Sequence, residues 1–276
     1  MIRARMCPNC QKLISNDESK CPYCGTTYPN FFLKHFFVKL FNSDEVISLL
    51  IMINVLMFGI SICVDFSKTQ MDLNPFVFLS PGNEALFLLG ASGSIPIYHY
   101  GNWWSLLTAN YLHGGLLHIL FNMLALNQVG RLIAREFGSS RFWIIYTLSG
   151  VLGFLLSVIM DVKFTIGASA AVCGLIGAGC YFGKSQGGEY GQAVYRDLSG
   201  WIISLFLFGF LFNGINNWGH AGGLLSGIVI AWLLGYKVQS RFIIIHQIVA
   251  VLCIACTVLS LLWGIGLSFY VRSASF

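Results

Sequence analysis

Seven long apolar stretches dominate this chain of 276 residues and limit the folds that it can adopt. Most of them approach the ~20 residues that a helix needs to cross the hydrocarbon core of a bilayer. Charged residues make up 10% of the sequence, whereas a soluble domain carries about 25%. We therefore predict an all-α, integral multi-pass membrane protein, with a long connection between the first two helices. The predicted helices cover roughly residues 46–64, 112–130, 141–160, 169–182, 199–213, 219–236 and 242–270.

Basic residues are concentrated on one side of these stretches. Loops on the cytoplasmic side of a membrane carry the excess of Lys and Arg, so this distribution predicts a cytoplasmic N-terminus. The predicted cytoplasmic set is Arg3, Arg5, Lys12, Lys20, Lys34, Lys39, Arg131, Arg135, Arg141, Lys184, Arg196, Lys237 and Arg241. The opposite side holds Lys68, Lys163 and Arg272.

Four cysteines near the N-terminus form two C-x-x-C pairs, Cys7 with Cys10 and Cys21 with Cys24. Two such pairs, separated by ten residues, suit a tetrahedral zinc site with four thiolate ligands. A redox role is the alternative, but no βαβ pattern surrounds the pairs. We predict a cytoplasmic zinc ribbon over residues 1–29, in which zinc is structural because no coordination position is left open. A protein that docks on the ribbon is a further expectation.

Residues 30–44 alternate aromatic and basic side chains at helical spacing. This pattern predicts an amphipathic segment at the membrane surface, and a plain linker is the alternative.

Four polar side chains lie within apolar helices at a similar depth, toward the outer side of the membrane. They are His118 and Asn122 on the second helix, Ser169 at the start of the fourth, and His220 at the start of the sixth. Taken singly, each fits a role in helix packing. Together they indicate a functional site, because polar groups inside a membrane are costly.

The chemistry of these four residues suits nucleophilic catalysis. His118 and Asn122 are four residues apart and share a helix face. The backbone N–H groups beside Ser169 are unsatisfied at a helix start, so these donors could form an oxyanion hole. His220 is the candidate general base for Ser169. Because no Asp or Glu lies within these helices, we predict a Ser-His dyad and no cofactor for catalysis.

Small residues at four-residue spacing would let the fourth and sixth helices approach closely. On the sixth helix, Gly223 and Gly227 follow His220 along one face. On the fourth helix, Ala170, Gly174 and Ala178 share a face. The two faces therefore predict contact between Ser169 and His220.

Three motifs together resemble the rhomboid family of intramembrane serine proteases. They are the run from His113 to Met123 (HGGLLHILFNM), Gly167-Ala168-Ser169-Ala170, and the run from Gly219 to Gly227 (GHAGGLLSG). The resemblance implies a six-helix protease core over residues 45–236 and an additional C-terminal helix over 237–276. It implies that Ser169 is the nucleophile, that His220 is the base, and that His118, Asn122 and the Ser169 N–H form the oxyanion hole. His113, Gly167, Gly223 and Gly227 would be supporting residues. The family also implies a membrane-embedded first loop and a mobile fifth helix that gates substrate entry.

Three positions depart from the family pattern. Ala170 stands where Gly usually follows the nucleophile, and Ser105 stands where the first loop often has Arg after Trp. Cys173 replaces an aromatic residue that packs under the base, so the histidine would be held less rigidly. We expect these changes to modulate the activity and not to remove it.

The sequence thus predicts a serine endopeptidase that cleaves transmembrane segments of membrane proteins near the outer face, through an acyl-enzyme. The alternatives are a rhomboid-like pseudoprotease that binds membrane clients without cleaving them, and a transporter that uses the buried polar groups as a pathway. The expected partners are transmembrane substrates and the lipid bilayer, with no nucleic acid. A bacterial inner membrane is the expected location.

Overall fold

Seven long helices make up most of the part of the chain that the structure describes. The structure is a computed structural model and describes residues 4–7, 10, 12–15, 17–25, 43–72, 77–211, 214–237 and 243–274. The long helices are α1 (Ser43–Val64), α2 (Leu116–Phe137), α3 (Ser139–Ile159), α4 (Ser169–Gln186), α5 (Gly188–Leu211), α6 (Asn217–Leu234) and α7 (Ile243–Ser273). Five of them, all except α4 and α6, are long and apolar enough to cross a membrane. The predicted all-α membrane fold is therefore confirmed.

The two helix boundaries that differ most from the sequence prediction lie at charged turns, which the hydropathy pattern assigned to loops. The prediction began α5 at residue 199, whereas the helix begins at Gly188. Its first turns carry charge but bury Gly191, Val194 and Leu198 at helical spacing. Likewise α2 continues past the predicted end at residue 130 to Phe137, because the long side chains of arginines can leave the apolar layer while their backbone stays helical.

Helix α4 lies at the centre of the bundle, with α3, α5 and α6 packed around it. Its buried residues are mostly small, which allows the neighbouring backbones to approach. Gly187 and Gly188 join α4 to α5, and both have positive φ values of 65° and 63°. This conformation costs glycine little, so the chain reverses direction within two residues.

The connection between α1 and α2, called here the first loop (residues 65–115), is folded into short helices. These are Phe66–Lys68, Asn83–Leu88, Ile95–His99, Ser105–Thr108 and Ala109–Tyr111. Ser92 exchanges two backbone hydrogen bonds with Thr165, of 3.0 and 2.8 Å. The first loop is thereby attached to the segment that leads into α4.

The N-terminal segment forms a hairpin of two antiparallel strands, β1 (Ala4–Met6) and β2 (Leu13–Ser15). Ile14 of the hairpin is buried in one apolar cluster with the cysteines and with Ile243, the first residue of α7. Residues 30–42 of the predicted amphipathic segment lie outside the described residues. The proposed division into four domains stays a prediction.

Helix α7 is buried along one stripe over its whole length. The stripe consists of Ile243, Ala250, Cys253, Thr257, Leu261, Gly264 and Ser268. It packs against α3 and against two short helices of the first loop, Asn83–Leu88 and Ser105–Thr108. Beyond the stripe, Arg272 forms an ion pair of 2.9 Å with Asp65, whose side chain is only 3% exposed.

The Asp65–Arg272 pair should make stability depend on pH. Burial by itself raises the pKa of Asp65, but the hydrogen bond from Ser67 and the Arg272 guanidinium together bring that pKa below its usual value. A carboxyl group with a lowered pKa contributes stability above its unfolded pKa of about 3.9, and this contribution is lost as the pH falls through the folded pKa. We expect Asp65→Asn to destabilise the protein by about 1–3 kcal/mol at pH 7 and by less at pH 3, which lies below the unfolded pKa. Thermal unfolding in detergent at both pH values is the measurement, and an equal loss at both would contradict the prediction.

Candidate active site

Ser169 is the first residue of α4. The residues just before it are hydrogen-bonded to the end of the first loop. Gly167 has a φ of +122° and donates its N–H to the carbonyl of Ala109 at 2.9 Å. The Ser169 N–H belongs to the first turn of α4, where helical backbone donors have no partner within the helix. The positive end of the helix dipole therefore coincides with the hydroxyl of Ser169.

The Nε2 atom of His220 lies 2.9 Å from the Oγ atom of Ser169. His220 is in the first turn of α6 and is 5% exposed. Its other ring nitrogen, Nδ1, is buried and has no hydrogen-bond partner among the described residues. The structure thus brings together the two predicted residues, and within the part of the chain that it describes the imidazole has no carboxylate partner.

Close packing of α4 and α6 makes this contact possible. A Cβ atom added at Gly223 would collide with the carbonyl oxygen of Ala170, and one added at Gly227 would collide with that of Gly174. Glycine at these two positions therefore sets the separation of the helices. The predicted supporting residues Gly223 and Gly227 lie on the helix face that carries His220.

His118 lies on α2 and approaches Gly167, two residues before Ser169. The N–H of Gly114 donates to Nδ1 of His118 at 3.2 Å, so a neutral imidazole carries its proton on Nε2. A Cβ atom at Gly167 would lie 2.7 Å from that Nε2 atom and 3.7 Å from Ser169 Oγ. His118 can therefore present an N–H donor to the space beside the hydroxyl.

Asn122 lies one turn after His118 on the same face of α2, and its side chain is buried. Its Nδ2 donates to the carbonyl of His118 at 2.8 Å, which uses one of its two N–H donors. The other N–H is the donor that the predicted oxyanion hole would use. The role of Asn122 in an oxyanion hole stays a prediction.

His113 is completely buried and contacts two parts of the site. Its ring packs edge-on against that of His118, with centroids 5.1 Å apart. Its Nε2 accepts the N–H of Ala168 at 3.5 Å. These contacts fit the supporting role predicted for His113.

Asn216 holds the start of α6 in place, and the sequence analysis missed this role. Its Oδ1 accepts the N–H of Gly219 at 2.9 Å and caps α6, while its Nδ2 donates to Ser157 at 2.7 Å and to Thr165 at 2.8 Å. The start of α6, which carries His220, is thereby tied to α3 and to the segment before α4. An Asn three residues before a helical N–H is a capping signal, so the sequence did contain a sign of this role.

Replacing Asn216 should destabilise the protein and loosen His220. Asn216→Ala removes a helix cap worth about 1 kcal/mol and leaves buried hydroxyls without their donor, so we expect a total loss of about 2–4 kcal/mol. Asn216→Ser retains a capping oxygen and should lose less. Thermal unfolding of the three proteins tests this order, which an unchanged midpoint for Asn216→Ala would contradict.

The three departures from the family pattern occupy buried positions. The methyl group of Ala170 lies against Gly153 of α3, where a Cβ atom would be 3.0 Å away. Cys173 is buried in α4, one turn after Ser169. Ser105 is buried in the first loop, and its hydroxyl has no partner among the described residues.

The four N-terminal cysteines converge on one point. Their sulfur atoms all lie within 4.8 Å of one another, with Cys7 3.5 Å from Cys24 and Cys10 3.6 Å from Cys21. Ligands 2.3 Å from a tetrahedral zinc ion would be separated by about 3.8 Å. The cysteines therefore have the separation and chemistry to hold one metal ion such as zinc.

Comparison with known proteins decides the family. The sequence model of the Rhomboid domain matches residues 100–237, which is half of the chain. The chain belongs to the rhomboid family. The match includes the rhomboid segments around His118, Ser169 and His220.

Several curated rhomboid proteins are similar to this chain. Rhomboid protease GluP of Bacillus subtilis is 36% identical over 163 residues, which cover 59% of this chain and 32% of the relative. RHOMBOID-like protein 6, mitochondrial, of Arabidopsis thaliana is 32% identical over 177 residues, covering 63% of this chain and 57% of the relative. RHOMBOID-like protein 4 of the same plant is 32% identical over 177 residues, with coverage of 61% and 43%. The chain thus spans between about a third and somewhat over half of the length of these rhomboid relatives.

Proposed function

We propose that this protein is an intramembrane serine protease that cleaves transmembrane segments with a Ser169–His220 dyad. The observation that carries the proposal is the 2.9 Å separation of Ser169 Oγ and His220 Nε2 within a bundle of membrane helices. A hydroxyl becomes an effective nucleophile when an adjacent base can take its proton. The name of the relative GluP, a rhomboid protease, agrees with this chemistry.

In the acylation step, Ser169 Oγ attacks the carbonyl carbon of the scissile peptide bond while His220 Nε2 takes the hydroxyl proton. The carbonyl oxygen becomes negatively charged in the tetrahedral intermediate. The donors proposed for this charge are the Ser169 N–H, the Nε2–H of His118 and the amide of Asn122. One such donor is typically worth about 3–4 kcal/mol of transition-state stabilisation.

Collapse of the intermediate breaks the C–N bond, and His220 gives its proton to the leaving amine. The substrate carbonyl is then esterified to Ser169. In the second step His220 takes a proton from water, the hydroxide attacks the ester, and Ser169 recovers its proton as the acid product leaves. Packing of His220 within α6 takes the place of the orienting carboxylate of a triad.

The substrate has to reach Ser169 from the membrane and unwind there. A helical peptide bond is shielded by its own hydrogen bonds, so segments with helix-weakening residues near the cut are the proposed substrates. Helix α5 buries only residues of its first half, Gly191, Val194 and Leu198, whereas Phe210 and Leu211 at its end are exposed. The loosely packed end of α5 is the proposed entrance.

The distribution of basic residues supports a cytoplasmic N-terminus and therefore cleavage near the outer face. We further propose that zinc is the metal of the four-cysteine site and that its role is structural. Four thiolates would fill its coordination shell, so zinc would supply folding energy and leave the hydrolysis to Ser169 and His220.

Zinc binding has a direct test. The purified full chain should contain close to one zinc per molecule, and Cys10→Ser should lose most of it because one of four ligands is removed. Cys63→Ser is the matched control, since Cys63 lies exposed on α1 away from the cluster. Metal analysis of the three proteins should show zinc in the wild type and in Cys63→Ser. A wild type that contains no zinc would remove the zinc proposal.

Labelling by a fluorophosphonate probe separates an active protease from a pseudoprotease that only binds its clients. The probe forms a covalent bond with a serine that has been activated by a base. We expect labelling of the wild type at Ser169 and a loss of labelling in His220→Ala. A folded wild type that does not label, or labels equally without His220, would favour the pseudoprotease.

A further inference from the structure

Helix α7 lies directly against the first loop at Gly264. A Cβ atom added there would lie 2.8 Å from the carbonyl oxygen of Leu89 and 3.0 Å from the ring of Trp104. Contacts of 3.0 Å or less require one of the two partners to move, and the carbonyl belongs to the backbone. Gly264 thus marks a place where α7 and the first loop fit directly against each other.

Helix α7 also packs against the short helix Ser105–Thr108, which leads directly into the turn Ala109–Tyr111. Tyr111 is 2% exposed, and its ring packs against that of Tyr146 on α3, with centroids 6.3 Å apart. Helix α7 therefore covers the C-terminal end of the first loop.

The loop segment beneath these contacts is attached to the active site. The carbonyl of Ala109 accepts the N–H of Gly167 at 2.9 Å, and Gly167 lies two residues before Ser169. His113, two residues after Tyr111, accepts the N–H of Ala168 and packs on His118. Residues 104–113 thus contact α7 on one side and the proposed oxyanion hole on the other.

From this continuous set of contacts we infer that α7 is a brace for catalysis, and that Gly264 is a positioning residue for the proposed oxyanion hole. The inference rests on the proposed protease function. Donors to an oxyanion act only when they are already in place, and a displacement of about 1 Å can cost about 100-fold in rate. A shift of the 104–113 segment should therefore lower kcat.

Gly264→Leu and Gly266→Leu form a matched pair of variants. Both change a glycine to the same side chain on α7, but a Cβ atom at Gly266 meets nothing within 4 Å. Fluorophosphonate titration first counts the active molecules, and cleavage of a transmembrane substrate then gives kcat per titrated site and KM. We expect Gly264→Leu to lower kcat per site about 10-fold with little change in KM, and Gly266→Leu to match the wild type.

Titration of the active sites distinguishes a variant with misplaced catalytic groups from a variant that is only less stable. A variant that is only less stable has fewer active molecules, each with the normal kcat. Normal kcat per site in Gly264→Leu would overturn the inference.

Hydrogen exchange gives a readout that does not require proteolysis. In the Ser169→Ala background, Gly264→Leu should increase amide exchange at residues 104–113 relative to Gly266→Leu. If the wild type neither labels nor cleaves, the proposed protease function fails, and the exchange result alone decides whether α7 braces the loop. Equal exchange in the two variants would then overturn the brace.

Discussion

Ser169→Ala is expected to lower kcat for cleavage of a transmembrane substrate by at least about 10⁴-fold, because the attacking oxygen is lost. KM should change little, since the hydroxyl contributes to the reaction more than to substrate binding. Initial rates with purified protein in detergent measure the effect. Ser204→Ala is the matched control, because that hydroxyl lies on α5 and donates to its own helix at Gly200.

His220→Ala should reduce kcat to a similar level, and the double variant should be no slower than either single variant. Residues that act as one unit give such non-additive losses. A rate for Ser169→Ala close to that of Ser204→Ala would show that another group performs the cleavage. A double variant that is slower by the product of the two single losses would contradict a shared dyad.

Gly167→Ala should produce the second large loss, about 10²- to 10³-fold in kcat, by disturbing the oxyanion hole. The new methyl group would lie 2.7 Å from Nε2 of His118, at a φ of +122° that only glycine adopts readily. His118 or the segment before Ser169 would have to move. Steady-state kinetics with a transmembrane substrate should show this as a change in kcat with KM nearly constant.

Gly101→Ala controls for backbone strain in this comparison. Gly101 also has a positive φ, of 68°, but a Cβ atom there meets nothing within 4 Å. Its stability should fall slightly, while kcat should stay near that of the wild type. Equal losses of kcat in both variants would indicate that strain, and not the contact with His118, causes the effect.

The sequence was sufficient to predict the contact between Ser169 and His220, because each one lies at a definite depth in an apolar helix. Ser169 is the first residue of α4 and His220 lies in the first turn of α6, and small residues follow each of them at four-residue spacing. When helices cross a membrane roughly parallel to one another, two residues meet if they lie at the same depth and on the sides of their helices that face each other. The distances and the partner of each nitrogen atom could not be predicted, because they depend on loops such as the turn at Gly167.

The sequence was much less informative about the first loop and about α7. Short helices such as Ser105–Thr108 bury their residues against other elements. A helix this short is not stable on its own, so its own residues do not predict it. Hydropathy predicts that α7 crosses the membrane, but it does not predict which face of this helix packs against the rest of the protein. The buried stripe of α7 is recognised only from its contacts, such as the close approach of Gly264 to Leu89 and Trp104.

Reconstitution into lipid vesicles with a single-span substrate, followed by mass spectrometry of the product ends, tests the proposed chemistry most directly. The wild type should cut one peptide bond within the membrane segment, near the membrane face where α4 and α6 begin. Ser169→Ala should leave the substrate intact over the same time. The same cut made at the same rate by Ser169→Ala would contradict hydrolysis by Ser169 and His220.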